Sequence, residues 1–302
     1  MDQPKDEAQR GHVQPPSAAT LAWLVDELDA SDVVEVRAMP GGSTAAMHRV
    51  TLVDRDSHER DVVLRRYVLP EILAESPDVV AVEARALQLA ERLAVPTPVL
   101  LAVDATGDRS DVPALAMTLL EGRPVWETRW GSEWVSQAVD AMITLHDVDV
   151  SRGELPALTR YAQSRYDQPR WTRDPALWER AVELFHRPVP TADVGFVHRD
   201  FNPGNVQWDR RRLSGLVDWQ WACVGPRSID PAHCRLNLFH YSPTMADQVR
   251  TVWEQRSGLT FDPWADIASI IGTLDSIRRR RDPNAAMWAI EAALKHAVNA
   301  LS

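Results

Sequence analysis

Lysine is almost missing from this chain: Lys5 and Lys295 are the only two in 302 residues. Any chemistry that calls for a lysine between them, a Schiff base or a phosphate clamp, falls to another residue type. Cysteine is nearly as scarce. Cys223 and Cys234 cannot build a disulfide framework, and with no CxxC pair or Cys/His cluster no zinc site is implied. No apolar run approaches the ~18 residues that cross a bilayer. The opening stretch MDQPKDEAQRGHVQPP lacks the apolar segment of a signal peptide. A reduced, cytoplasmic protein without a membrane partner is therefore expected. Basic excess is absent as well: the net charge is -10, which argues against nucleic acid as a partner.

Where the charge lies is more informative than its sum. Residues 17–121 hold 9 Arg against 18 Asp plus Glu, whereas residues 122–302 hold 22 cationic and 22 acidic side chains. The acidity belongs to the first third of the chain. A hydrophobic fraction of 45% supports a packed core.

Periodicity divides the chain in the same place. Leu21, Leu24, Val25 and Leu28 give a helix over 18–29. Strands are expected at 33–39, 46–53 and 61–68, the first two joined by Pro40-Gly41-Gly42-Ser43-Thr44 and the second pair by a polar connection over 54–60. Helical spacing returns over 77–93, followed by apolar runs at 99–103 and 114–120 that read as two more strands. Beyond Gly122 and Pro124, helices are expected at 132–147, 174–187, 229–240, 244–256, 264–278 and 284–301. They are interrupted by a β-like stretch at 195–198, 205–209 and 213–219. The expected fold is α+β: a tail over 1–17, a small antiparallel β lobe with one main helix over 18–121, and a larger, mostly helical lobe over 122–302.

The chemistry-bearing residues sit in that β-like interruption. Phosphoryl transfer asks a protein for metal ligands, positioning and a group that takes the hydroxyl proton. His198-Arg199-Asp200-Phe201-Asn202-Pro203-Gly204-Asn205 carries Asp and Asn at the H-R-D-x-x-x-x-N spacing of a kinase catalytic loop. Asp200 is the candidate base and Asn205 a candidate metal ligand. Asp218, 13 residues further on, ends an apolar strand where a second magnesium ligand would stand.

These segments resemble the aminoglycoside phosphotransferase family of the kinase-like superfamily. His198 to Val206 is similar to its H-G-D-L-H-P-G-N-V motif, Leu216 to Gln220 to its I-D-W-E, and Gly225-Pro226 with Asp230 to its G-x-P-x-x-D-L-A segment. Leu145-His146 resembles a helix end of the family, and residues 40–44 its nucleotide loop. The likeness covers roughly residues 30–240. Arg199 stands where the family usually has Gly, Asn202 where it has His, and Gln220 where it has Glu. The resemblance implies a protein-kinase-like two-lobed fold, ATP or GTP with Mg2+, and transfer of the γ-phosphoryl group to a hydroxyl of an antibiotic-like or sugar-like small molecule, as in an aminoglycoside kinase. His198 and Asp230 would then hold the catalytic loop in shape.

On the nucleotide side, Gly41, Gly42, Ser43 and Thr44 can bring backbone amides to phosphate. The lysine expected on the third strand is replaced by Arg65, and Glu83 on the following helix is its natural ionic partner. The stretch from Met117 through Leu119 would be a hinge for adenine. An aminoglycoside would want carboxylates, yet the second lobe is neutral and ends near a basic run at 278–281. That lobe instead holds 11 of the 12 tryptophans. Trp126, Trp130 and Trp134, spaced four apart, suit either core packing or an aromatic wall for a sugar or macrolide. Asp262, Asp266, Asp275 and Glu291 are the acidic candidates for binding an amine. A neutral-metabolite or macrolide kinase and a catalytically silent kinase-like binding protein are the alternatives. A protein kinase is disfavoured because Asp218-Trp219-Gln220 replaces D-F-G and no A-P-E follows.

Overall fold

The computed structural model describes residues 14–39, 44–125, 131–151, 153–161, 165–278 and 284–302. Gly41, Gly42, Ser43, Trp126, Trp130 and most of the 278–281 basic run lie outside them. The chain divides into two compact units, Met1–Arg92 with Pro96–Leu120, and Leu93–Val95 with Glu121–Ser302.

In the first unit, helix α1 (Ala18–Glu27) starts at Ser17, whose hydroxyl accepts from the Thr20 amide as an N-cap. Five antiparallel strands follow: β1 (Asp32–Ala38), β2 (Ala46–Val53), β3 (Glu59–Arg66), β4 (Leu100–Asp104) and β5 (Ala114–Thr118), in the order β1-β2-β3-β5-β4. Alternation along β2 buries Ala46, His48, Val50 and Leu52. These last two pack with Val62 and Leu64 of β3 under Trp23 and Leu24 of α1. The β3 residues of opposite parity, Val63 and Arg65, consequently face the other side, where helix α3 (Val79–Ala90) brings Glu83. A short helix α2 (Pro70–Glu75), opened by its proline, precedes α3 and carries no periodic pattern long enough to read in the sequence. The end of the expected tail is not loose. Pro16 is buried and the Gln14 carbonyl accepts from Arg66, because a buried guanidinium needs acceptors wherever the chain can offer them.

The second unit surrounds two small sheets with helices. Strand β6 (Arg123–Pro124) pairs with β8 (Val206–Asp209), which pairs with β9 (Arg212–Leu216); β7 (Val194–Val197) pairs with β10 (Cys223–Pro226). Gly122, at φ 108, lies so near β8 that a Cβ would stand 2.9 Å from the Trp208 carbonyl oxygen. The helices are α4 (Gly131–His146), α5 (Pro175–Phe185), α6 (Ile229–Leu238), α7 (Pro243–Ser257), α8 (Pro263–Gly272), α9 (Leu274–Arg278) and α10 (Ala285–Ala300). Helix α6 is packed by both α7 and α8, and residues 229–236 are buried throughout despite carrying Asp230, His233 and Arg235. The helix expected over 264–278 breaks at Thr273, whose hydroxyl bonds back to the Ser269 and Ile270 carbonyls.

The tryptophans are mainly core. Trp134, on α4, is 1% exposed and stacks on Trp208 with centroids 5.7 Å apart, so it joins no acceptor wall. Trp178, Trp219 and Trp253 are likewise fully buried. Among the described residues no helix is long and apolar enough to cross a membrane.

Candidate active site

The stretch between β7 and β8 is the loop His198–Asn205. Its shape is imposed from outside. Asp230, on the first turn of α6 and fully buried, accepts from the amides of His198 at 3.0 Å and Arg199 at 2.7 Å, and from His146 Nε2 at 3.0 Å. Three donors make a buried carboxylate tolerable where desolvation alone would expel it. The His198 ring bonds through Nε2 to the Val217 carbonyl at 3.0 Å and packs 4.6 Å from Trp219. Val217 in turn donates its amide to the Asn205 carbonyl at 3.0 Å. Asp218, the next residue, is thus fixed beside the loop. The expected strand to Trp219 stops at Leu216, and Asp218 adopts φ 71, a left-handed conformation that aspartate tolerates better than most side chains.

Asp200 is the best-held side chain of the loop. Its Oδ1 accepts from Asn202 Nδ2 at 3.0 Å and meets His233 Nε2 at 3.0 Å, while Oδ2 accepts from Asn205 Nδ2 at 2.9 Å. Burial opposes ionisation here, but the His233 hydrogen bond and charge, aided by His198 and Asn202, outweigh it. The carboxyl is held below the usual aspartate range. With 25% of its side chain exposed, Asp200 can still be reached from solvent. Because Asn205 spends its amide nitrogen on Asp200, its Oδ1 is left as an acceptor; none of the described residues donates to it. Carboxylate and amide oxygens are hard donors that suit magnesium, so Asn205 and Asp218 fit that ion chemically.

The first unit holds the other cluster. Arg65, 2% exposed, donates from Nη1 to Glu83 Oε1 at 2.7 Å, and Tyr67 donates to Glu83 Oε2 at 2.6 Å. Thr44 Oγ1 lies 3.4 Å from Arg65 Nη2, so the residue that follows Ser43 in the chain stands beside the arginine. Met117 is buried in β5 between Val63 and Leu100, whereas Leu119, past the end of β5, is 36% exposed. A purine edge would therefore meet free main chain only after Thr118.

Two contributors went unread in the sequence. His233 has no motif of its own, yet it lies three residues after Asp230 on α6, so both face the same loop. Tyr67, two residues after Arg65 on the same side of the chain, shares Glu83 with it. The acidic amine-binding candidates are all engaged elsewhere. Asp262 caps α8 through the Trp264 amide, Asp266 is buried against Arg235, Asp275 pairs with Arg278, and Glu291 accepts from Trp178 Nε1 at 2.8 Å.

Residues 35–267 match the model of the APH, or phosphotransferase enzyme, family. No curated protein sequence is similar enough to count as a relative. Among solved structures, a Ralstonia eutropha JMP134 protein assigned provisionally as an aminoglycoside phosphotransferase superposes with a TM-score of 0.63 at 18% identity, covering 93% of this chain and 96% of that one. The macrolide 2'-phosphotransferase MphH of Brachybacterium faecium gives 0.58 at 18% identity, over 91% and 96%. A thermostable mutant of the aminoglycoside phosphotransferase APH(4)-Ia, in complex with ADP and hygromycin B, gives 0.59 at 13% identity, over 93% and 98%. At these identities the likeness is one of fold.

Proposed function

The chain belongs to the phosphotransferase enzyme family, and from that premise we propose that it moves the γ-phosphoryl group of ATP onto a hydroxyl of a small molecule. The observation that carries this reading is the Asp200 carboxylate, ionised, oriented by three side chains and still open to solvent. In the proposed reaction Asp200 takes the proton of the acceptor hydroxyl as the O–Pγ bond forms and the bond from Pγ to the β-phosphate oxygen breaks, releasing ADP. Asn205 and Asp218 are the proposed magnesium ligands; the ion, when bound, would neutralise charge on the phosphates. Asn205 also donates to Asp200, which ties the base to the ligand set. His198 and Asp230 are positioning residues that keep the loop in register. On the first unit Arg65, held by Glu83, is proposed to meet the phosphates together with Gly41, Gly42, Ser43 and Thr44. Main chain beyond Met117, from Leu119 on, would take the adenine. The division of labour is thus nucleotide in residues 18–121 and acceptor in residues 122–302, in a protein working in the reduced cytoplasm.

Two solved relatives of the fold carry adenine nucleotides with an aminoglycoside, ADP with hygromycin B in one and ATP with streptomycin in another. This supports ATP as the donor more than it supports the acceptor, because the carboxylates that would bind an aminoglycoside here are occupied internally. The test is Asp200→Asn. Turnover, read as the mass gain of a phosphorylated acceptor in ATP and Mg2+, should fall ~10²–10⁴-fold while ATP affinity stays near the native value. Turnover within threefold of the native protein would remove Asp200 from the role of base.

A further inference from the structure

Helix α6 reaches the catalytic loop twice. Asp230, on its first turn, takes the main-chain amides of His198 and Arg199. His233, three residues later on the same face, meets the side chain of the next loop residue, with Nε2 3.0 Å from Asp200 Oδ1. Three consecutive loop residues are thus fastened to one helix, two by their backbone and the third by its carboxylate.

An ionised carboxylate offers about four lone-pair sites, two on each oxygen. On Asp200, Oδ1 receives Asn202 Nδ2 and His233 Nε2, each at 3.0 Å, and is full. Oδ2 receives Asn205 Nδ2 at 2.9 Å, its one donor among the described residues. The site left over is therefore on Oδ2. Of the three donors, Asn202 and Asn205 belong to the loop and move with it. His233 alone ties the carboxylate to a packed helix, and the terminal torsion of an aspartate is soft enough to need such a tie. The chain holds a second aspartate–histidine pair for comparison. Asp230 also has three donors, His146 Nε2 and the two amides, but its side chain is fully buried, so that pair serves the fold. Asp200 differs in keeping 25% of its side chain exposed while His233 is buried.

We propose that His233 is a positioning residue for phosphoryl transfer: its Nε2–H holds Oδ1, fixes the plane of the carboxylate against α6, and leaves Oδ2 to take the proton of the acceptor hydroxyl. As the hydroxyl oxygen joins Pγ its proton passes to Oδ2, and Asp200 becomes the neutral acid while Oδ1 keeps both donors. The same arrangement rules His233 out as a proton relay, because Nε2 already carries the hydrogen it would have to accept. The proposal rests on the reading of Asp200 as the base of a phosphotransferase.

Two measurements test it, the first without turnover. In the long-range 1H–15N spectrum of the native protein labelled in its histidine rings, with His233 assigned by its loss in His233→Gln, Nε2 should carry a proton at pH 7. A bare Nε2 donates nothing to Asp200 and overturns the proposal before any variant is assayed. The second measurement is phosphoryl transfer from ATP and Mg2+ to water, read as released phosphate. His233→Leu removes the donor and should lower kcat about 10–100-fold, the scale of a misplaced reacting group, with KM for ATP within twofold. His233→Gln, whose amide nitrogen reaches about as far as Nε2, should return kcat to within threefold of the native value. Native kcat in His233→Leu, or a His233→Gln variant no faster than His233→Leu, would make His233 a packing residue and sink the proposal. Should His233→Leu not fold, the protonated nitrogen and the His233→Gln rate decide. If Asp200→Asn is inert while His233→Leu is native-like, the base stands and the positioning role falls. If Nε2 is protonated but the native protein releases no phosphate above a protein-free blank, the hydrogen bond stands and the phosphotransfer reading falls.

Discussion

At the scale of single residues, the absence of lysine has a structural answer. Arg65 occupies the third-strand position and is buried with Glu83 and Tyr67 around it. A guanidinium oriented on one edge by a carboxylate presents its remaining donors in a fixed direction, which a flexible ammonium does not. If that direction is the phosphates, Arg65→Ala should weaken ATP binding by about 1–3 kcal/mol and adenosine binding little. Glu83→Gln should show the same pattern more mildly, with the double variant less than additive. Equal losses for ATP and adenosine in fluorescence titrations would make Arg65 a structural cation. The pair was legible because the kinase-like resemblance puts a cation on the third strand and a carboxylate on the helix that follows, and periodicity marks both elements. His233 was not, because its role depends on which face of α6 turns towards the loop, and a helix buried all round carries no polar side to reveal it.

Elements were legible in proportion to their length. The strands and helices expected from periodicity are present with ends displaced by a few residues, except that the helix expected over 264–278 is two, divided at Thr273. Those that were missed, α2, β6 and β10, are six residues or shorter, too brief to show a period. Their existence is decided by what they pack against. Connections follow the same logic, and the β4–β5 turn is an example. Asp104 ends β4 and accepts from the amides of Gly107, Arg109 and Ser110 and from the Ser110 hydroxyl. Partial burial resists its ionisation, but these four donors prevail and bring its pKa from 3.8 down to about 2. A depressed carboxylate stabilises the fold above its unfolded pKa and loses that contribution as pH falls through the folded value. Asp104→Asn should therefore cost roughly 1–2 kcal/mol at pH 7 and about half as much at pH 3, by urea unfolding. A cost independent of pH would assign the effect to shape and not to charge.

For the molecule as a whole, charge and sequence pattern agree on where one unit ends and the next begins. The acidic excess lies in residues 17–121, nearly coincident with the first compact unit. The two cysteines, which carry no disulfide or zinc motif, have no part in the site. Both are buried in the second unit, where burial raises the Cys223 thiol to about 12 and that of Cys234 higher still. Ellman's reagent should find no thiol in the native protein at pH 8 and two after denaturation; rapid native labelling of either would show that the second unit opens locally. What composition could not foretell is how late in the chain the catalytic loop finds its anchor. The amides of His198 and Arg199 are fastened by Asp230, some thirty positions downstream. During synthesis Asp200 and Asn205 leave the ribosome well before the residue that shapes the loop they belong to. Until Asp230 has followed and α6 has docked, the growing chain carries the side chains proposed to react without the anchor that shapes their loop, and on that proposal should emerge chemically silent.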